Sequence, residues 1–138
     1  IMAQYLKEVQ EKYPTKIIQL VGNGDRQAKY AEKLIELLGE NKIENLVNKT
    51  NLKEVFEIVA KSSLFIGFES GLYNLCFALR KKGIILFKKK EGAFVHEVSW
   101  LTILTPESER KDIIDSEYPG LSINSIEVKA FKRALEEI

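Results

Sequence analysis

The segment from Leu64 to Phe87 constrains the fold more than any other part of the chain, because it predicts a strand, a glycine turn, a helix and a second strand in succession. Leu64 to Ile66 is a short apolar run with strand-forming residues, and Gly67 is expected to let the backbone turn tightly out of the sheet. Ser70 is the predicted N-cap of the helix, and Gly83 to Phe87 is the return strand.

The predicted turn before this helix suits an anionic ligand. The first backbone N–H groups of a helix have no partner within the helix and lie at the positive end of its dipole, so they favour a phosphate. Glu69 places a carboxylate beside Ser70, which suits a ligand that also carries hydroxyl groups, as a sugar does. In the alternative interpretation Glu69 is a solvated turn residue and Ser70 only caps the helix. These residues by themselves leave both interpretations open.

Composition narrows the class of protein. A chain of 138 residues suits one domain, and 21 basic against 20 acidic residues give no reason to expect a nucleic-acid partner. The single cysteine, Cys76, cannot form an internal disulfide, which suits a reducing cytoplasm.

The only histidine, His96, lacks other ligands at metal-binding spacing, so we expect neither a metal nor a cofactor. Lysines 88–90 are interpreted as a solvated loop, with a phosphate or membrane-surface role as the alternative.

Helical and strand patterns alternate along the chain. The predicted elements are a helix from Met2 that Pro14 ends, a strand at Lys16–Val21, a helix at Arg26–Leu38, a strand at Ile43–Val47, a helix at Leu52–Lys61 opened by an Asn51/Glu54 capping box, the segment described above, a strand at Trp100–Leu104, and a final helix from Val128. This alternation predicts an α/β fold in which helices cover both faces of a mostly parallel sheet.

Three loops follow the predicted strands, and ligands of such folds bind at the carboxyl ends of the strands. The loops are Gly22 to Asp25, Asn48 to Asn51, and Gly67 to Gly71. The first contains a Gly-x-Gly pair, but Gln27 stands where a dinucleotide-binding fingerprint has its third glycine. We therefore interpret this pair as a turn and expect the three loops together to form the binding site. A phosphoacceptor domain of similar layout would need clustered aspartates, and the first loop has only Asp25.

The order of elements and two motifs resemble the nucleotide-sugar-binding half of family 9 glycosyltransferases, the bacterial heptosyltransferases. The motifs are NKTNLKEV at 48–55 and IGFESGLYNLCFALRKKGIILF at 66–87, and the resemblance covers most of the chain. The family pattern Asp-Ser/Thr-Gly-x-x-His-x-x-x-Ala-Leu is matched by Glu69, Ser70, Gly71, Asn74, Ala78 and Leu79. Glu69 and Asn74 depart from it, since the family has aspartate and histidine there.

This resemblance implies a Rossmann-like three-layer sandwich, the carboxyl-terminal half of a GT-B fold. The donor-binding residues that it implies are Gly22, Asn23, Gly24, Asp25, Lys49, Thr50, Gly67, Glu69, Ser70, Gly71 and Asn74. The donor would be a nucleoside-diphosphate sugar. The acceptor, a glycolipid or another glycan, would bind an amino-terminal domain that also carries the catalytic base, so no catalytic residue is expected in this chain.

The implied role is glycosyl transfer in lipopolysaccharide or surface-polysaccharide synthesis, in the cytoplasm and in peripheral contact with the inner membrane. The alternative is a non-catalytic relative that binds nucleotide sugars for sensing or assembly, which the departures at Glu69 and Asn74 favour. We expect residues 1–138 to be a fragment of a longer protein, without transferase activity of its own.

The family also has a central strand before the first helix, which would pair with the strand at Lys16–Val21. Because this chain starts inside that helix, we expect a gap in the sheet. Either the strands Lys16–Val21 and Gly83–Phe87 move together, or a second copy covers the gap in a homodimer.

Overall fold

The computed structural model describes residues 2–68, 70–87, 95–106 and 126–138, and within these ranges it has helices alternating with parallel strands. In chain order the elements are α1 (Met2–Lys12), β1 (Ile18–Leu20), α2 (Asp25–Leu38), β2 (Ile43–Asn45), α3 (Leu52–Lys61), β3 (Phe65–Phe68), α4 (Gly71–Ala78), β4 (Gly83–Leu86), β5 (Leu101–Leu104) and α5 (Val128–Glu136). The predicted α/β class and its Rossmann-like parallel arrangement are confirmed. The chain divides into two compact units, Ile1–Glu57 and Ile58–Ile138.

The first unit contains a two-stranded parallel sheet and two helices that pack against each other. β1 pairs with β2, so that Ile18 lies opposite Ile43 and Leu20 opposite Asn45. α1 contacts α2 and ends just before Pro14, as the sequence predicts. The buried apolar side chains of this unit are Met2, Ala3, Tyr5, Leu6, Val9, Ala31, Leu34 and Val47.

The sequence predicts a strand at Lys16–Val21 with both faces covered. This prediction is wrong about the length of the strand and about its burial. β1 has three residues, and Ile17 just before it is 64% exposed. One face of the strand is polar, since Gln19 Nε2 donates a hydrogen bond of 3.0 Å to Glu44 Oε2 on β2. A strand with one polar face needs cover on the other face only.

The second unit contains a three-stranded parallel sheet with β4 in the middle. Ile85 of β4 lies opposite Gly67 of β3 and Ile103 of β5, and all four residues of β4 are buried. Both edges of β4 are therefore occupied by β3 and β5, so the predicted alternative in which β1 and β4 move together is wrong. Among the described strands, β1 pairs with β2 alone. The homodimer stays a prediction.

One face of this sheet packs against α4. Ile85 and Phe87 form a cluster with Tyr73 and Cys76 of the helix. The helical spacing predicts that Leu72, Leu75, Cys76 and Leu79 face inward, and this is only partly correct. Cys76 is buried and the three leucines are half-buried, whereas Tyr73, outside the predicted set, is only 1% exposed. On the final helix, α5, the spacing predicts that Val128, Phe131, Ala134, Leu135 and Ile138 face inward. Phe131, Ala134 and Leu135 are buried together with Ala130, whereas Val128 and Ile138 are half-buried, and the helix packs against β5.

The contact between α4 and β4 is close enough to favour a glycine at position 83. A Cβ at Gly83 would lie 3.0 Å from Cys76 Sγ and 3.1 Å from a methyl group of Leu101. The Cys76 thiol donates a hydrogen bond of 3.3 Å to the Lys81 carbonyl. Burial raises the pKa of this thiol to about 11, against the opposing effect of the Lys81 charge. The thiol is thus a buried neutral group at neutral pH.

The predicted capping box at the start of α3 is confirmed. Asn51 Oδ1 accepts from the Glu54 N–H at 2.9 Å, and Glu54 Oε1 accepts from the Asn51 N–H at 3.1 Å. The spacing predicts that Leu52, Val55, Phe56, Val59 and Ala60 of this helix face inward, and this is only partly correct. Val59 is buried, whereas Leu52 is 82% exposed and Phe56 is 47% exposed.

Candidate functional site

In the first unit, the loops after β1 and β2 lie in contact, as expected for neighbouring parallel strands. The Gly24 N–H donates to Asn48 Oδ1 at 2.7 Å, and Asn48 Nδ2 donates to the Gly24 carbonyl at 3.4 Å. The Asn48 N–H also donates to the Gly22 carbonyl at 3.0 Å. One asparagine therefore joins the loop that carries four of the predicted donor residues, Gly22, Asn23, Gly24 and Asp25, to the loop that carries Lys49 and Thr50.

The two glycines of the first loop are favoured for different structural reasons. Gly24 is the N-cap of α2 and has φ of 100°, which side chains rarely adopt. At Gly22 a Cβ would lie 2.0 Å from Gln27 Oε1, because this oxygen turns back and accepts the Asn23 N–H at 2.9 Å. Gln27, which replaces the third glycine of a dinucleotide fingerprint, thus holds the loop in shape.

The second loop turns at Asn48, whose φ of 62° is left-handed. Its neighbour Lys49 donates its N–H to the Leu46 carbonyl at 3.0 Å, which closes the turn. The side chain of Lys49 is exposed and that of Thr50 is half-buried. Both predicted residues therefore lie on the same short turn, directly after the asparagine that contacts the first loop.

We expect Asn48→Ala to lower the free energy of unfolding by about 1–3 kcal/mol, because it removes the bonds to Gly24 and places alanine in a left-handed conformation. Asn48→Gly should lower it less, since glycine adopts this backbone without steric cost. Urea denaturation of the two variants and the parent chain measures the difference. Equal losses would show that the left-handed conformation contributes nothing, and unchanged stability in both would show that the bonds to Gly24 contribute nothing.

In the second unit, the N-cap lies where the sequence predicts it, but the turn does not. Ser70 is the N-cap of α4, as predicted, with φ of −161° and ψ of 176°, but its side chain makes no capping hydrogen bond. Gly67 is not in the turn, because β3 continues to Phe68. A Cβ at Gly67 would lie 2.6 Å from the ring of Phe65, so this glycine makes room for that ring within the strand. Glu69 lies outside the described residues.

The start of α4 is open. Gly71 is its first residue, and a Cβ built there would meet no atom within 4 Å among the described residues. The first turn of the helix carries no acidic residue. The Tyr73 N–H donates to the Ser70 carbonyl at 3.1 Å, and the first N–H groups of a helix otherwise have no acceptors within the helix. Within the first turn itself, no carboxylate offsets the dipole. This end of the helix can therefore receive an anion.

Asn74 is exposed and lies one helical turn after Ser70, where it meets the chain's single histidine. His96 Nε2 and Asn74 Oδ1 are 3.0 Å apart, and the imidazole stacks on Phe77 with ring centroids 3.7 Å apart and an angle of 3°. The His96 N–H donates to the Tyr73 hydroxyl at 2.6 Å. Sequence reasoning considered His96 only as a metal ligand, and no local pattern connects two residues 22 positions apart.

The described ranges contain no group of three or more histidine, cysteine, aspartate or glutamate residues that could hold a metal ion. In the same ranges, none of the helices has the length and apolar character needed to cross a membrane.

The comparisons with known proteins give one positive result. The model of Glycosyltransferase family 9 (heptosyltransferase) matches residues 3–119. No curated protein and no solved structure matches the chain. The matched region contains both loops of the first unit, the start of α4, the Asn74/His96 pair and every described strand, so it covers most of the chain of 138 residues. This chain belongs to glycosyltransferase family 9.

Proposed function

We propose that this chain binds the nucleoside-diphosphate sugar donor of a glycosyltransferase and stabilises the diphosphate as it leaves. Membership of the family implies a nucleotide-sugar donor and an acceptor as substrates. One observation supports the assignment of the donor to named residues. The first turn of α4 is open, contains no acidic residue and has a glycine at its first position.

The diphosphate is assigned to the start of α4. Backbone N–H groups of Gly71 and its neighbours would donate to phosphate oxygens, which gain negative charge as the bond to the sugar breaks. Ser70, whose side chain makes no capping bond, is assigned a contribution through its backbone. Glu69 is assigned to the hydroxyl groups of the donor, by its position in the family pattern. A carboxylate accepts hydrogen bonds from hydroxyl groups and would repel phosphate.

The nucleoside is assigned to the paired loops of the first unit. Unlike α4, α2 has an acid, Asp25, in its first turn, so the start of α2 is unfavourable for phosphate. An aspartate there can accept hydrogen bonds from ribose hydroxyl groups. The turn with Lys49 and Thr50 is assigned to the base, and the Asn48 bonds hold it against the Gly22–Asp25 loop.

The wider role is also part of this proposal, and it is proposed by analogy with the family. The chain is the donor-binding half of a two-domain GT-B enzyme, and an amino-terminal domain binds the acceptor and deprotonates it. The enzyme is bacterial and acts in lipopolysaccharide or surface-polysaccharide synthesis at the cytoplasmic side of the inner membrane. Asn74 favours a second candidate, a non-catalytic relative, because an amide cannot carry a proton near neutral pH. Such a relative would bind the donor without transferring its sugar, which a transfer assay on the full-length protein distinguishes.

Titration of this chain with UDP, ADP, CDP and GDP, followed by amide resonances in NMR spectra, tests the assignment. We expect at least one of these nucleotides to shift the amides of Gly22, Thr50 and Gly71, because the assigned N–H groups and loops contact the ligand. The amides of α5 serve as an internal control and should stay unchanged. Shifts confined to the lysines at 88–90, or no shifts with any of the four, would contradict the proposal.

A further inference from the structure

The hydrogen bond between Asn74 and His96 determines how the asparagine amide is oriented. The amide oxygen can only accept, so His96 Nε2 is the donor in the 3.0 Å contact. Oxygen and nitrogen lie at opposite corners of a planar amide, and the Asn74 NH2 group is therefore turned away from the imidazole. Asn74 is an exposed residue, so this NH2 group is available to a ligand.

The imidazole that holds this amide is itself held from two sides. Its ring lies parallel to Phe77, at a centroid distance of 3.7 Å. Its backbone N–H donates to the hydroxyl of Tyr73, and the buried Tyr73 ring makes a T-shaped contact with Phe87, with ring centroids 5.3 Å apart. Phe77 is in turn supported by Trp100, whose Nε1–H donates to the Phe77 carbonyl at 3.2 Å. A ligand would then meet an amide that is already ordered, which lowers the entropy cost of binding.

The position of Asn74 on α4 relates this amide to the start of the helix. Residues three and four apart lie on the same helical face, so Asn74 shares a face with Gly71 and Ser70. The backbone N–H groups of the first turn and the Asn74 NH2 group are all hydrogen-bond donors. Together they suit a ligand that presents several acceptor oxygens.

We propose that His96 is a positioning residue of the donor site, which holds the Asn74 amide so that its NH2 group donates to an oxygen of the bound nucleoside-diphosphate sugar. This inference rests on the proposed function of the α4 start. The oxygen belongs either to the diphosphate or to the sugar. Titration with the nucleoside diphosphate alone and with its sugar conjugate distinguishes the two sources, because only the conjugate presents sugar oxygens.

The test uses NMR titration of the parent chain and of three variants, with the nucleotide that shifts the Gly71 amide. His96→Phe keeps a ring to stack on Phe77 and removes the ring N–H donor. His96→Gln supplies an amide N–H donor in place of the ring. Asn74→Asp keeps an acceptor for His96 and replaces the NH2 donor by a carboxylate, which repels phosphate.

In the parent chain, we expect the side-chain NH2 signals of Asn74 to shift on ligand addition together with the Gly71 amide. His96→Phe should weaken binding about tenfold, the effect of one hydrogen bond to a charged or polar oxygen, and should abolish the shift of the Asn74 NH2 signals. His96→Gln should restore part of the affinity and part of the shift of the Asn74 NH2 signals. Asn74→Asp should weaken binding at least as much as His96→Phe, with unchanged thermal unfolding.

Each contrary result has a distinct meaning. If the Gly71 amide shifts in the parent chain while the Asn74 NH2 signals do not, the α4 site stands and the positioning role is wrong. The role is also wrong if His96→Phe leaves the NH2 shift intact, or if Asn74→Asp binds as tightly as the parent. If no nucleotide shifts the Gly71 amide, the proposed function itself is wrong and this inference is overturned with it.

Discussion

Phe87→Ala should lower the free energy of unfolding by about 3–5 kcal/mol, the usual cost of removing a fully buried phenylalanine side chain. Phe87 is 0% exposed and directly follows β4, and its ring meets that of Tyr73 at 88° and 5.3 Å. Its N–H donates to the Leu104 carbonyl at 2.9 Å, so the backbone there is tied to β5. Since a domain has only about 5–15 kcal/mol of stability in total, this single change should unfold a measurable fraction of the protein.

Phe68→Ala is the matched control, because Phe68 is the same residue type at the end of the neighbouring strand β3 but is 36% exposed. We expect it to cost about 1 kcal/mol or less. Urea denaturation followed by the fluorescence of Trp100, the only tryptophan, measures both. Similar losses for the two variants would show that the β4 side of the sheet is not the core of this unit.

Gly71→Ala should weaken nucleotide binding by roughly 10- to 100-fold, the equivalent of about 1.4–2.8 kcal/mol. The new methyl group would occupy the open space at the start of α4, where the proposed phosphate oxygens approach the backbone. The same change should leave the free energy of unfolding unchanged or raise it by up to about 1 kcal/mol, since alanine is the better helix former and meets no atom there. Calorimetric titration and urea denaturation measure the two effects on one variant.

Gly39→Ala is the control, for which we expect an effect on stability and none on binding. Gly39 follows α2 with φ of 86°, so alanine there is strained although it also meets no atom within 4 Å. We expect it to lower stability by about 1 kcal/mol and to leave binding unchanged. If Gly71→Ala binds nucleotide as well as the parent chain, phosphate does not bind at the start of α4.

Features that depend on neighbours in the sequence could be predicted from the sequence alone. Pro14 ends the first helix, and Asn51 and Glu54 form the reciprocal capping bonds, because the interacting groups are at most a few residues apart. The segment Gly83–Phe87 was predicted as a return strand, and it forms β4, the middle strand of its sheet. The order of elements and the motifs at 48–55 and 66–87 indicated the family, which the match of the family model over residues 3–119 confirms.

Features that depend on distant parts of the chain required the tertiary structure. The sequence placed Gly67 in a turn, but the Phe65 ring and the pairing with Ile85 keep it inside β3. The sequence suggested a strand covered on both faces at 16–21, but pairing with β2 limits it to three residues with one polar face.

The side chains that organise the candidate site belong to the same class of feature. Asn48 bonds to Gly24 across 24 residues, and His96 bonds to Asn74 across 22. Neither pair leaves a periodic or local signal, because each bond exists only after the strands have paired and the helix has packed. The sequence by itself thus determined the element types, the family and the residues of the helix start, whereas only the tertiary structure decided which polar side chains hold those residues in position.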